Sequence, residues 1–230
     1  MVSRLITAVL SLTLWAGVCG EPPIIVSHKE TVTLGYSNRI AVIGDSYTTG
    51  GAQGGQGPKA WTIRAWQEIA RDRMPVTADV NAEGGAGYGT RGSHGSVFED
   101  LATAVVKPDD ALVVFFGSRN DQNVDPTQLS ILAYGTFQLA RQMAPRATFL
   151  VIGPPWPTAN PPDAVLRIRD ALHYQAGLAG AVWVDPIAER WFVGHPELIG
   201  ADGIHPTDAG HEYMADKIAP LIESRLPASL

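Results

Sequence analysis

The sequence predicts a doubly wound α/β domain on a five-stranded parallel sheet. Five short apolar runs recur along the chain, each interval between them carries apolar residues at helical spacing, and turns rich in glycine and proline punctuate the alternation. A strand covered by helices on both faces is apolar at nearly every position, whereas a half-exposed strand alternates. Crossovers between parallel strands are right-handed almost without exception. The carboxyl ends of all five strands are therefore expected on one edge, where such folds bind ligands.

The elements follow in order. Residues 1–20 read as a secretory signal peptide: Arg4 supplies a positive start, residues 5–18 form a largely apolar run, and small residues surround a cleavage point before Glu21. That run is shorter than the ~20 residues a bilayer span requires. Cys19, the one cysteine of the chain, would be the lipid-bearing residue of a lipoprotein, but Val18 is larger than the Gly or Ala such a signal carries, so plain export is preferred. The mature chain then has no disulfide and relies on core packing. Residues 21–37 read as an extended leader without helical period, and residues 38–230 as the domain. The first strand is residues 39–43. A glycine-rich loop over 50–57 follows, then a helix on which Ile63, Trp66, Ala70 and Met74 share a face. Strands are expected at 76–81, 111–116, 148–152 and 181–184, and helices at 97–106, 127–143 and 164–178. Thr207 can cap a final helix that Pro220 kinks or ends early. Trp156, Trp191 and Phe192 read as half-buried packing residues; as a secondary expectation, Trp156 lines an acyl or sugar pocket.

At 230 residues the chain suits one well-buried domain. Its net charge of -6 and the lack of any Lys/Arg run argue against a nucleic-acid partner. Gly87-Tyr88-Gly89-Thr90-Arg91-Gly92 matches a dinucleotide-binding pattern, but it follows the second strand and no acidic residue closes the next strand at the required distance. No G-x-S-x-G elbow, H-E-x-x-H pair or phosphate-binding loop is present, since Pro58 separates Gly57 from Lys59.

Three blocks carry chemistry. Ser46 leaves the first strand in Gly44-Asp45-Ser46, Asn120 follows the third strand in Ser118-Arg119-Asn120-Asp121, and His205 closes Asp202-Gly203-Ile204-His205. A serine hydroxyl attacks only when a base takes its proton. His205 can be that base if Asp202, three residues earlier, accepts from Nδ1–H and turns Nε2 toward the hydroxyl. The blander possibility is an Asx turn in which Asp202 only braces the loop. Asn120 can donate its amide to a developing oxyanion. The loop after the second strand can add a backbone N–H, with Gly85 the first choice and Gly84 or Gly87 the fallback.

With these blocks in place the chain resembles the SGNH hydrolases of the GDSL esterase/lipase superfamily, named for Ser, Gly, Asn and His. Ser46, Gly85, Asn120, and Asp202 with His205 match the four blocks in turn. The resemblance implies a flavodoxin-like three-layer α/β/α sandwich, no metal or organic cofactor, and ester hydrolysis through an acyl-enzyme on Ser46, His205 and Asp202. Ser46, Gly85 and Asn120 would make the oxyanion hole. The expected substrate is a small ester, an acylated glycan or a lipid. An envelope acyltransferase, a lysophospholipase-like hydrolase and a non-catalytic glycan- or lipid-binding module remain alternatives. Acyl chain, alcohol and oligomeric state stay open at this stage.

Overall fold

The computed structural model describes residues 27–31 (as backbone), 38–71 and 74–227. The expected signal peptide, its cleavage point and Cys19 lie outside the described residues. One sheet holds β1 (Ser27–Thr31), β2 (Asn38–Gly44), β3 (Val76–Ala82), β4 (Asp110–Phe116), β5 (Thr148–Ile152) and β6 (Val182–Val184), in the order β1-β3-β2-β4-β5-β6. The five expected strands are β2 to β6, and all their pairings are parallel. The sequence reading gave residues 21–37 no strand, yet β1 pairs antiparallel with β3. An edge strand is held by backbone pairing on one side, and Ser-His-Lys-Glu-Thr carries no apolar run to announce it.

Among the described residues, six α-helices alternate with the strands: α1 (Ser46–Thr49), α2 (Trp61–Arg71), α3 (Phe98–Val105), α4 (Pro126–Met143), α5 (Asp163–Leu178) and α6 (Asp208–Glu223). Successive side chains of a strand point to opposite faces, and β2 divides accordingly. Ile40 and Val42 pack with Trp61 and Trp66 of α2 and Met214 and Ile218 of α6. Ala41 and Ile43 pack with Phe98 of α3, Phe137 of α4 and Leu172 of α5. The result is a three-layer α/β/α sandwich with an apolar core on each side of the sheet.

Three local expectations are corrected. Met74 is not on α2, which ends at Arg71; Pro75 follows, and a residue before proline is disfavoured in helical conformation. Pro220 neither stops nor shortens α6, which runs on to Glu223. The ring stands on the exposed side near the helix end, and the carbonyl it deprives belongs to exposed Asp216, where water can replace the lost bond. Trp191 and Phe192 are fully buried, packed edge-on against Phe116 and Tyr47 respectively, while Trp156 is half-buried as expected.

Strand order fixes where a site can form. The chain leaves β2 for β3 on one side, then returns to β4 on the other, so the crevice above β2 and β4 is a topological switch point. In register, Gly44 stands opposite Ala82 and Phe116. The loops after β2, β3 and β4 therefore begin side by side.

Candidate active site

Ser46 opens α1, two residues past the end of β2. Asp45 caps that turn, accepting from the Tyr47 amide at 2.9 Å. A β carbon on Gly44 would lie 2.2 Å from Thr48 Oγ1, so this tight exit requires glycine.

His205 arrives from the far end of the chain. Its Nε2 lies 3.1 Å from Ser46 Oγ and its Nδ1 lies 2.7 Å from Asp202 Oδ2. An ionised carboxylate can only accept, so the ring proton belongs on Nδ1 and Nε2 is left to accept from the Ser46 hydroxyl. The Asx-turn possibility holds at the same time. Asp202 Oδ1 accepts from the Ile204 and His205 amides, each at 2.9 Å. One carboxylate oxygen thus shapes the turn while the other orients the ring. The His205 hydrogen bond, with those two amides, holds the Asp202 carboxyl down to about 2. The loop is tied to Ser46 again by Tyr47, whose hydroxyl donates to the Ile204 carbonyl at 2.5 Å.

Asn120 comes within the same crevice. Its side-chain amide donates to the Ala86 carbonyl at 2.8 Å and, more weakly, to Asp45 Oδ2 at 3.3 Å. That fixes it beside the glycine loop after β3. Of the three candidate glycines, Gly87 donates its amide to the Thr90 carbonyl at 2.8 Å, which removes it as a free donor. Gly85 is exposed at φ +80° next to the Ala86 that Asn120 grips.

Buried charge lies beneath this surface. Burial pushes the Asp45 carboxyl up to about 7, although the Tyr47 amide and the Arg119 guanidinium pull the other way. Arg119 is itself 9% exposed and stacks over the Trp156 ring at 4.2 Å. Among the described residues, no group of three His, Cys, Asp or Glu side chains is arranged to hold a metal ion. The Tyr88, Gly89 and Thr90 amides all donate to the Asp121 carboxylate, at 2.8 to 2.9 Å. The dinucleotide-like stretch therefore has those donors already engaged.

Comparison with known proteins identifies the family. The sequence model of the GDSL-like Lipase/Acylhydrolase family matches residues 42–213, a span that contains all four blocks. The chain belongs to that family. It is 60% identical over 229 residues to a GDSL lipase of Mycobacterium tuberculosis, covering 97% of this chain and 99% of that protein. Among solved structures it is similar to TesA, with TM-score 0.68 and 21% identity over 82% of this chain and 100% of that one. It is also similar to a carbohydrate esterase family 2 enzyme of Corynascus thermopiles (Myceliophthora fergusii), with TM-score 0.66 and 20% identity over 84% of this chain and 68% of that one. These structural likenesses are likenesses of fold.

As a GDSL-family chain, the protein is a carboxylic ester hydrolase by class. Its fold also employs residues to which the sequence reading gave no role. Asp121, next to Asn120, is buried and gathers the Ser118 hydroxyl at 2.7 Å together with the three amides of residues 88–90. Tyr47 tethers the histidine loop, and Asp45 and Arg119 set the charge below it. Adjacency to Ser46 and Asn120 was the signal available for all four. Aspartate beside a turn is too common to reveal burial from sequence.

Proposed function

We propose that the protein is an exported serine esterase in which Ser46 is the nucleophile, His205 the base and Asp202 its orienter. The Ser46 and Gly85 amides with the Asn120 side chain would form the oxyanion hole. The observation that carries this reading is the continuous hydrogen-bond chain from Ser46 Oγ through His205 to Asp202, at 3.1 and 2.7 Å. Ser46 Oγ bonds to the ester carbonyl carbon while its proton passes to His205 Nε2, and the carbonyl π pair moves onto oxygen. Fixed donors at that oxygen favour the tetrahedral state over the flat ester. Collapse restores the carbonyl and breaks the bond to the alkoxy oxygen, which takes the proton from Nε2. Water, deprotonated by the same nitrogen, then attacks the acyl-serine; the bond to Ser46 Oγ breaks, Oγ takes the proton back from Nε2, and the acid leaves.

Esters of acetyl or short to medium acyl chains are the proposed substrates. The amino-terminal pattern supports export, with a mature chain beginning at Glu21.

The test is hydrolysis of p-nitrophenyl esters from acetate to palmitate by the parent and its Ser46→Ala variant, with fluorophosphonate labelling of both. Turnover and label that both vanish in Ser46→Ala are expected. Undiminished turnover in the variant would remove Ser46 from the reaction. Amino-terminal sequencing of the exported protein is expected to read from Glu21, and partition into detergent through Cys19 would overturn plain export.

A further inference from the structure

A groove of about 460 Å³ runs along the outer side of the loop that carries Asp202 and His205. One wall is residues 157–159, which continue from the Trp156 ring stacked on Arg119. The other is residues 192–196 with Ile199, Gly200 and Gly203. Phe192 packs on Tyr47 at 6.0 Å between ring centres, and Tyr47 lies 6.4 Å from the His205 ring. Gly203, two residues before His205, is among the groove's lining, so the groove lies beside the histidine loop.

We propose that this groove binds the alcohol half of the ester, and that the preferred alcohol is apolar and uncharged. The proposal rests on the esterase reading above. In that mechanism the alkoxy oxygen must come within hydrogen-bond reach of His205 Nε2, because that nitrogen protonates it. The carbonyl oxygen points the opposite way, toward Asn120. An alcohol leaving over His205 on the Gly203 side would meet the space between residues 157–159 and 192–196.

The lining selects the chemistry. No Asp, Glu, Lys or Arg is among the described residues that line the groove. Its two polar side chains, Thr158 and His195, each already spend one group on a neighbour and leave one group apiece for a ligand. Thr158 Oγ1 accepts from Trp156 Nε1 at 3.1 Å, and His195 Nδ1 lies 3.2 Å from Glu197 Oε1. A sugar ring would need several hydroxyl partners from side chains, and an unmet hydroxyl is costly to desolvate. An alkyl or aryl alcohol loses nothing there and gains from removal of its surface from water.

The experiment holds the acyl group at butyryl and varies the alcohol through methyl, hexyl and 1-naphthyl, with O-butyrylated xylan as the polar competitor. It then repeats the series with Ala159→Trp, a large side chain at an exposed position on the groove wall. The parent is expected to favour hexyl and naphthyl esters. Ala159→Trp is expected to lower the hexyl-to-methyl ratio of kcat/KM about tenfold. Ethyl esters of acetate, butyrate and octanoate form the control series, in which the acyl-length preference of the variant should match that of the parent.

A variant whose defect follows acyl length would assign the groove to the acyl chain and overturn the proposal. So would a parent that prefers the butyrylated glycan, or an unchanged hexyl-to-methyl ratio in the variant. Ser46→Ala, run beside these, reports separately on the nucleophile: activity retained there sinks the serine reading whatever the alcohol series shows.

Discussion

Asp202 illustrates how much a single carboxylate can do when its two oxygens are separated in role. Oδ1 holds the turn through two amides and Oδ2 faces the His205 ring. Asp202→Asn keeps an oxygen for the amides but presents either a neutral acceptor or an NH₂ to Nδ1. A drop in kcat of ~10⁴ is expected, with the fold intact by circular dichroism. A kcat within a few-fold of the parent would leave Asp202 a brace for the loop alone. Asn120→Ala removes one oxyanion donor, and kcat should fall by ~10²–10³ with a much smaller change in KM. If KM rose instead with kcat preserved, Asn120 would bind the ground state only.

The loop after β3 is held by the turn that follows β4, residues 119–123. Asp121 accepts from three of its amides and from Ser118, and a β carbon on Gly87 would meet the Asp121 and Ser118 oxygens at 2.5 Å. Gly87→Ala must therefore push a buried carboxylate aside. A stability loss of about 1–3 kcal/mol in urea unfolding is expected, together with loss of activity because the neighbouring Gly85–Ala86 segment shifts. Gly85→Ala meets nothing closer than 3.9 Å but is strained at φ +80°. Its cost should be the backbone preference alone, about 1–2 kcal/mol. A Gly87→Ala variant as stable and as active as the parent would show that packing against Asp121 does not restrain the loop. On α6, His211 packs its ring on Gly55 and accepts from the Trp61 amide at 3.3 Å, which anchors the glycine-rich loop after Ser46 to the helix.

For the molecule as a whole, two buried groups give stability opposite dependences on pH. Burial lowers His211 from 6.5 to about 4. Across that window the unfolded chain holds a proton that the native protein does not, so stability falls as pH falls. Asp45 is raised from 3.8 to about 7, so the native protein holds the extra proton there and stability falls as pH rises. Each shift corresponds to a few kcal/mol at most. His211→Asn keeps an acceptor for the Trp61 amide without titrating. The Tm advantage of the parent over this variant should shrink as pH drops from 6.5 to 4. The advantage of the parent over Asp45→Asn should shrink as pH rises from 4 to 7. Thermal melts of the three proteins across this range check both signs, and parallel curves would overturn the assignment.

The sequence by itself determined the five parallel strands, because burial on both faces makes each an apolar run, and it determined the helices between them. Ser46, Asn120, Asp202 and His205 were legible for a related reason: their residue types stand at strand exits and before a terminal helix, and topology had to bring Ser46, the glycine loop and Asn120 to one edge. The edge strand β1 was not legible, since backbone pairing leaves no mark in side-chain character. Nor were the burial of Asp45, Arg119 and Asp121, the removal of Gly87 as a donor, or the uncharged groove beside His205. Those features depend on which atoms from distant loops come within 3 Å of one another and on how much water they exclude. Local pattern does not encode such distances; tertiary packing decides them.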